Sequence, residues 1–86
     1  MAATRHQSLI QRYLSDQLLV DFALLDRSAN LFELGLIDSF GFIELISYLE
    51  LEFGIEFTDD DMMSGKMASF DGLVRFVGRK LDGRQT

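Results

Sequence analysis

Ser39-Phe40-Gly41-Phe42-Ile43-Glu44-Leu45-Ile46-Ser47-Tyr48-Leu49-Glu50-Leu51-Glu52-Phe53-Gly54 carries the strongest helical pattern in the chain. Phe42, Ile43, Ile46, Leu49 and Phe53 recur at i, i+3/i+4, i+7 spacing, while Glu44, Ser47 and Glu50 fall away from them. A helix turns about 100° per residue, so this spacing gathers the apolar side chains on one side. Gly54 tolerates the left-handed backbone that commonly ends a helix. The pattern predicts a helix from Ser39 to Phe53 that needs a core to face.

That core must come from the flanking segments. Upstream, Thr4-Arg5-His6-Gln7 fits a capping box, with Thr4 as N-cap and Gln7 reaching back. Behind it Ile10, Leu14 and Leu18 repeat at i, i+4, i+8, with Leu9 and Tyr13 on the same face. Downstream, Thr58 precedes Asp59-Asp60-Asp61, an N-cap with three acids in a first turn, where carboxylates suit the helix dipole. This short helix carries Met62 and Met63 and ends near Gly65. Ser69 caps a last helix whose buried face is Phe70, Leu73, Val74, Val77 and Leu81, with Arg75, Arg79 and Lys80 toward its C-terminal end.

Residues 20–38 show no period. Asp26, Ser28, Asn30 and Gly35 alternate with Leu24, Leu25, Leu31, Phe32, Leu34 and Leu36, which reads as a long loop pinned to the core by its apolar side chains. Loops of this length in small domains are more often functional than decorative. No segment alternates as a strand. The expected fold is all-α, a four-helix bundle of three longer helices and a short third one. It forms one domain over residues 1–86, ordered from about residue 4 to residue 83 and frayed at both ends.

Composition removes several kinds of chemistry. The 86 residues include no cysteine, which excludes disulfides and thiolate-ligated metals. His6 is the sole histidine; it is expected to face solvent in the first turn, and a catalytic triad has nothing else to use. Ser39 lacks the G-x-S-x-G elbow of hydrolases. Three consecutive acids do not make the alternating ligand set of a calcium loop. No apolar run approaches a membrane span, and the protein is expected to be cytoplasmic.

The net charge of −6 is unevenly spread. Residues 1–27 balance, residues 28–65 hold nine acids and no Lys or Arg, and residues 66–86 hold five bases and two acids. The acidic block repels phosphate backbones, so nucleic acid is not expected as a partner. It attracts basic protein surfaces or simply aids solubility.

Gly35-Leu36-Ile37-Asp38-Ser39-Phe40 stands apart. It sets a hydroxyl where an exposed loop meets a helix start, and there unpaired N–H groups and the dipole favour a phosphate. Taken alone, Asp-Ser is equally an ordinary N-cap.

The surrounding residues make the segment resemble the acyl carrier protein family, which carries phosphopantetheine on the serine of an Asp-Ser-(Leu/Met/Phe) motif. Leu34-Gly35, Ile43-Glu44-Leu45, Leu49-Glu50, Glu52-Phe53-Gly54-Ile55 and Phe57 with Thr58 to Asp61 match the family's pattern. The likeness runs from Leu31 to about Leu81, and the first helix fits in pattern only. The resemblance implies Ser39 as the attachment site for 4'-phosphopantetheine, transferred from coenzyme A by a separate Mg²⁺-dependent phosphopantetheinyl transferase. It gives Asp38 a part in orienting the loop and in recognition by that transferase. The chain is then a non-catalytic carrier whose cargo rides as a thioester.

Partners implied by the resemblance are the transferase, an adenylating or ligase loading enzyme, and downstream enzymes that accept the acyl or aminoacyl group. Glu44 and Glu50, with Glu52, Glu56 and Asp59 to Asp61 beyond, form the expected docking patch. Phe40 is either its apolar anchor or a core residue, and Met62 and Met63 either touch cargo or partner or pack. Gly35 is followed by two residues before Asp38-Ser39, and Ser39 by Phe40-Gly41. That form is closer to D-alanyl and freestanding aminoacyl or peptidyl carriers than to fatty-acid carriers, and it tilts the cargo toward an aminoacyl or specialised group. Gly41 in the first turn is expected to permit close approach by a partner. Met1, a short basic tail and the lack of linkers suggest a freestanding monomer. The alternatives are a fatty-acid or polyketide carrier, and an unmodified interaction module working through its acidic face.

Overall fold

A computed structural model of the chain describes residues 4–84. It contains α1 (Arg5–Gln17), α2 (Ser39–Phe53), α3 (Asp59–Met63) and α4 (Phe70–Arg84), and the described residues form no strand. This is the acyl-carrier type of helical bundle, with the long connection between α1 and α2. No helix among the described residues is long and apolar enough to cross a membrane.

Local chemistry explains where the helices begin. Thr4 Oγ1 accepts the Gln7 N–H at 3.2 Å, the first half of the expected box; the return bond from Gln7 does not form among the described residues. The box at α3 is complete, with Asp61 N–H donating to Thr58 Oγ1 and Thr58 N–H donating to the Asp61 carboxylate. Ser69 Oγ accepts the Gly72 N–H at 3.0 Å and starts α4. At the other end of α2, Gly54 adopts φ 64° as the pattern requires.

The three long helices bury one shared core. Ile10 and Leu14 of α1, Leu45 and Leu49 of α2, and Leu73 and Val77 of α4 are fully buried. The arc of α2 that faces this core is Phe42, Leu45, Ile46, Leu49 and Phe53. Ile43, read from spacing as part of that arc, is instead 58% exposed, and Leu45 takes its place. The helix is apolar around most of its circumference, so its period alone does not choose between the two sides.

His6 also departs from expectation. It is half-buried, its ring edge-on to Phe53 with centroids 6.5 Å apart, and its Nε2 lies 3.3 Å from where a Cβ on Gly78 of α4 would stand. α4 is tied still more tightly at its first turn. A Cβ on Gly72 would fall 1.8 Å from the Lys66 carbonyl oxygen, so only glycine lets α4 rest on the turn before it.

The long loop is held by backbone bonds as well as by side chains. Leu31 N–H donates to Ala68 O at 2.7 Å, and Asp71 N–H donates to Arg27 O at 3.0 Å, joining the loop to the start of α4. Asp21, Asp26 and Asn30 each accept a backbone N–H two residues on, which organises successive turns. Val20, Leu31 and Ile37 are buried, and Leu25 and Leu36 are partly so. Leu24 and Leu34 are exposed and pin nothing.

Candidate functional site

The site grows from the junction of this loop with α2. Ile37 is buried and anchors the end of the loop. Asp38 follows in extended backbone and is the N-cap: its Oδ1 accepts the Gly41 N–H at 2.7 Å, and its carbonyl accepts the Phe42 N–H. Ser39 is therefore the first helical residue and not the cap. Its side chain is exposed and its hydroxyl makes no hydrogen bond among the described residues. The N–H groups of Ser39 and Phe40, at the first two helical positions, have no partner within the helix.

Asp38 thus relieves Ser39 of the structural duty that a serine usually has at such a place. What remains is a solvent-facing oxygen nucleophile beside two unpaired amides at the positive end of a 15-residue helix. The Asp38 carboxylate beside it is held at the cap, its Oδ1 engaged by the Gly41 amide. Residue types and geometry fit a phosphorylated arm.

Gly41 has an internal explanation. A Cβ there would press within 3.2 Å of Asp38 Oδ1 and 3.3 Å of Ile37 Cγ1. Glycine leaves room for the cap, so partner approach is not needed to account for it.

An apolar cleft of about 250 Å³ opens next to Ser39, lined also by Phe32, Phe42, Ile43, Met62, Met67 and Ala68. Phe32 packs on Phe42 with centroids 5.3 Å apart and forms one wall. Met62 of α3 is half-buried in another, whereas Met63 is exposed. Phe32 and Met67 were not among the site residues suggested by the sequence. Their contribution depends on the loop and on the 65–69 turn folding over α2, and no local motif announces it.

The expected docking residues divide. Phe40 is 73% exposed beside Ser39, and Ile43, Glu44, Ser47 and Leu51 continue the exposed side of α2. Glu50 is partly buried, and its Oε2 accepts the Phe57 N–H at 2.9 Å, so it holds the turn after α2. Glu52 pairs with Arg5 at 3.1 Å, and Asp61 pairs with Lys80 at 2.6 Å. The Lys80 ammonium, and next the Thr58 amide, hold the Asp61 carboxyl below the usual range. Glu33, Glu44, Glu56, Asp59 and Asp60 carry acidic surface with no ion pair among the described residues. Among the described residues no cluster of His, Cys, Asp and Glu is arranged to hold a metal.

Comparison with known proteins agrees with this geometry. No curated relative matches the chain. Residues 8–77 match the family described as "Phosphopantetheine attachment site", a span that takes in most of α1, all of α2 with the junction at Ser39, α3 and the first half of α4. Domains of this family bind 4'-phosphopantetheine covalently and are in general non-catalytic. With the match covering most of its length, the chain belongs to the phosphopantetheine-attachment family of carrier proteins.

Proposed function

We propose that Ser39 is the attachment residue, and that the chain carries an apolar acyl group between enzymes. The single observation that supports the site is the division of labour at the start of α2: Asp38 caps the helix, and the adjacent hydroxyl is left exposed and unbonded. When a transferase docks, Ser39 Oγ attacks the pyrophosphate of coenzyme A. An Oγ–P bond forms as the bond to 3',5'-ADP breaks, and the hydroxyl proton passes to a base. The two free amides of the first turn and the helix dipole then stabilise the phosphodiester. The group supplies a thiol that holds cargo as a thioester.

The cleft beside Ser39 bears on the cargo. Its lining offers two phenylalanines, two methionines and an isoleucine, and no charged side chain. An α-ammonium placed there has no partner and pays the full desolvation cost, whereas an aliphatic chain is stabilised by burial. This favours an apolar acyl cargo over the aminoacyl cargo toward which the Gly35–Gly41 spacing tilts. The exposed side of α2, with Phe40 and Ile43 as apolar contacts and Glu44 as charge, is the surface we assign to the transferase, the loading ligase and the acceptor enzymes.

Intact-mass measurement tests the reading. Incubation with coenzyme A, Mg²⁺ and a promiscuous transferase adds one phosphopantetheine to the wild-type chain and none to Ser39→Ala. An unchanged wild-type mass would indicate an unmodified interaction module. For the cargo, hexanoyl and alanyl forms are compared by methyl NMR. Met62 and Met67 shift on loading with hexanoyl and stay in place with alanyl.

A further inference from the structure

Eight bases face fourteen acids in this chain, so carboxylates are in excess for pairing. Arg5, Arg12 and Lys80 each have one, in Glu52, Asp16 and Asp61 respectively. Lys66, Arg75 and Arg79 have none among the described residues, and all three line a single cleft of about 450 Å³. The cleft runs between the 65–69 turn and the first three turns of α4, and its walls also include Ser28, Ser69, Asp71 and Phe76. Gly65 borders both this cleft and the apolar one, while Ser39 lines only the latter. The Arg79 guanidinium lies 5.3 Å from the centroid of the Phe76 ring, a stacking that holds its donors in place.

Length and sign together indicate the occupant. The Lys66 backbone rests against Gly72, so the cationic positions Lys66, Arg75 and Arg79 extend along α4 from residue 72 to residue 79, roughly 10 Å at 1.5 Å per residue. That distance matches about three residues of extended chain at 3.3 Å each. It is much longer than one phosphate group. Asp71 on the same wall sets a negative charge in the first turn of α4, which opposes any anion seated at the helix start and leaves Lys66, Arg75 and Arg79 as the contacts for carboxylates. Nucleic acid is disfavoured by the acidic surface of residues 28–65.

We propose that this cleft docks an extended acidic segment of a partner polypeptide, whose carboxylates meet Lys66, Arg75 and Arg79. The protein then has two docking surfaces of opposite sign. The α2 side receives basic partners, and the α4 cleft receives an acidic one and repels the basic faces that suit α2. Each surface excludes the other's partner by like-charge contact.

The test uses the full chain, without modification at Ser39, so it stands whether or not that assignment holds. Amide NMR follows titration with an octapeptide of alternating Asp and Glu at 50 mM salt. A Gly-Ser octapeptide and inorganic phosphate serve as comparisons. Saturable shifts are expected at Lys66, Arg75, Phe76 and Arg79. Affinity falls at least tenfold in R75E/R79E and stays within threefold in R75K/R79K, with circular dichroism unchanged in both. The proposal is overturned if the acidic peptide gives no saturable shifts or binds R75E/R79E equally well. Phosphate binding as tight as the peptide would overturn it in favour of a small-anion site. Concentration-dependent self-association through this cleft, lost in R75E/R79E, would overturn it in favour of a second copy of the chain.

Discussion

α2 and α3 face each other across the apolar cleft, and they are held in different ways. α2 buries five side chains, two of them completely, and forms part of the shared core. α3 has five residues and buries none. Its hold on the bundle is the Asp61–Lys80 pair and the half-buried Met62, while the Thr58–Asp61 box closes its own first turn. A single carboxylate oxygen, Asp61 Oδ2, receives both the Thr58 amide and the Lys80 ammonium. Ser39 thus sits on the wall that is packed into the core, and the opposite wall is closed by few contacts.

The contrast is broken or sharpened by substitution on each side. Leu49→Ala removes a fully buried side chain from the core of α2 and should cost about 2–5 kcal/mol in urea unfolding, with little change in m. A cost under 1 kcal/mol would mean that α2 is not the platform described. Asp61→Ala should cost about 1–2 kcal/mol overall, because one partly covered ion pair and one cap are lost while the shared core is untouched. Hydrogen exchange should show α3 amides losing protection while α2 amides keep theirs. Acid should act on the same link. The Asp61 carboxyl is depressed in the folded chain, so its contribution is complete above the unfolded value of about 4 and is lost as pH falls through the lower folded value. α3 protection should therefore be constant from pH 7 to 5 and decline below 4, with the decline reduced in Lys80→Met. Met63→Ala, at an 84% exposed position, should change stability by less than about 0.5 kcal/mol.

Much of this arrangement was legible in the residues. The span of α2, its stop at Gly54 and the caps at Thr58 and Ser69 follow from local chemistry that acts over three or four positions. The end of α1 does not: Leu19 takes φ 58°, where glycine would have been the signal. The choice of Leu45 over Ile43 for the core depends on which side of α2 meets α1 and α4, and a helix apolar on both sides leaves that to packing. At the site, the Asp38-Ser39 pair was readable, but each residue is an acceptable cap. Only the 2.7 Å approach of the Asp38 carboxylate to the Gly41 amide assigns the roles. Glu50 illustrates the same limit, since its bond to the Phe57 amide joins residues seven apart across a turn. His6 and Gly72 owe their constraints to α4 and to the 65–69 turn, which no neighbour in sequence discloses.

Localising the modification by peptide fragmentation tests the central assignment most directly. After treatment with coenzyme A and a transferase, the phosphopantetheine should reside wholly on the peptide containing Ser39, with fragment ions placing it on that residue. Its presence on Ser47, Ser64 or any other hydroxyl, with Ser39 unmodified, would contradict the account.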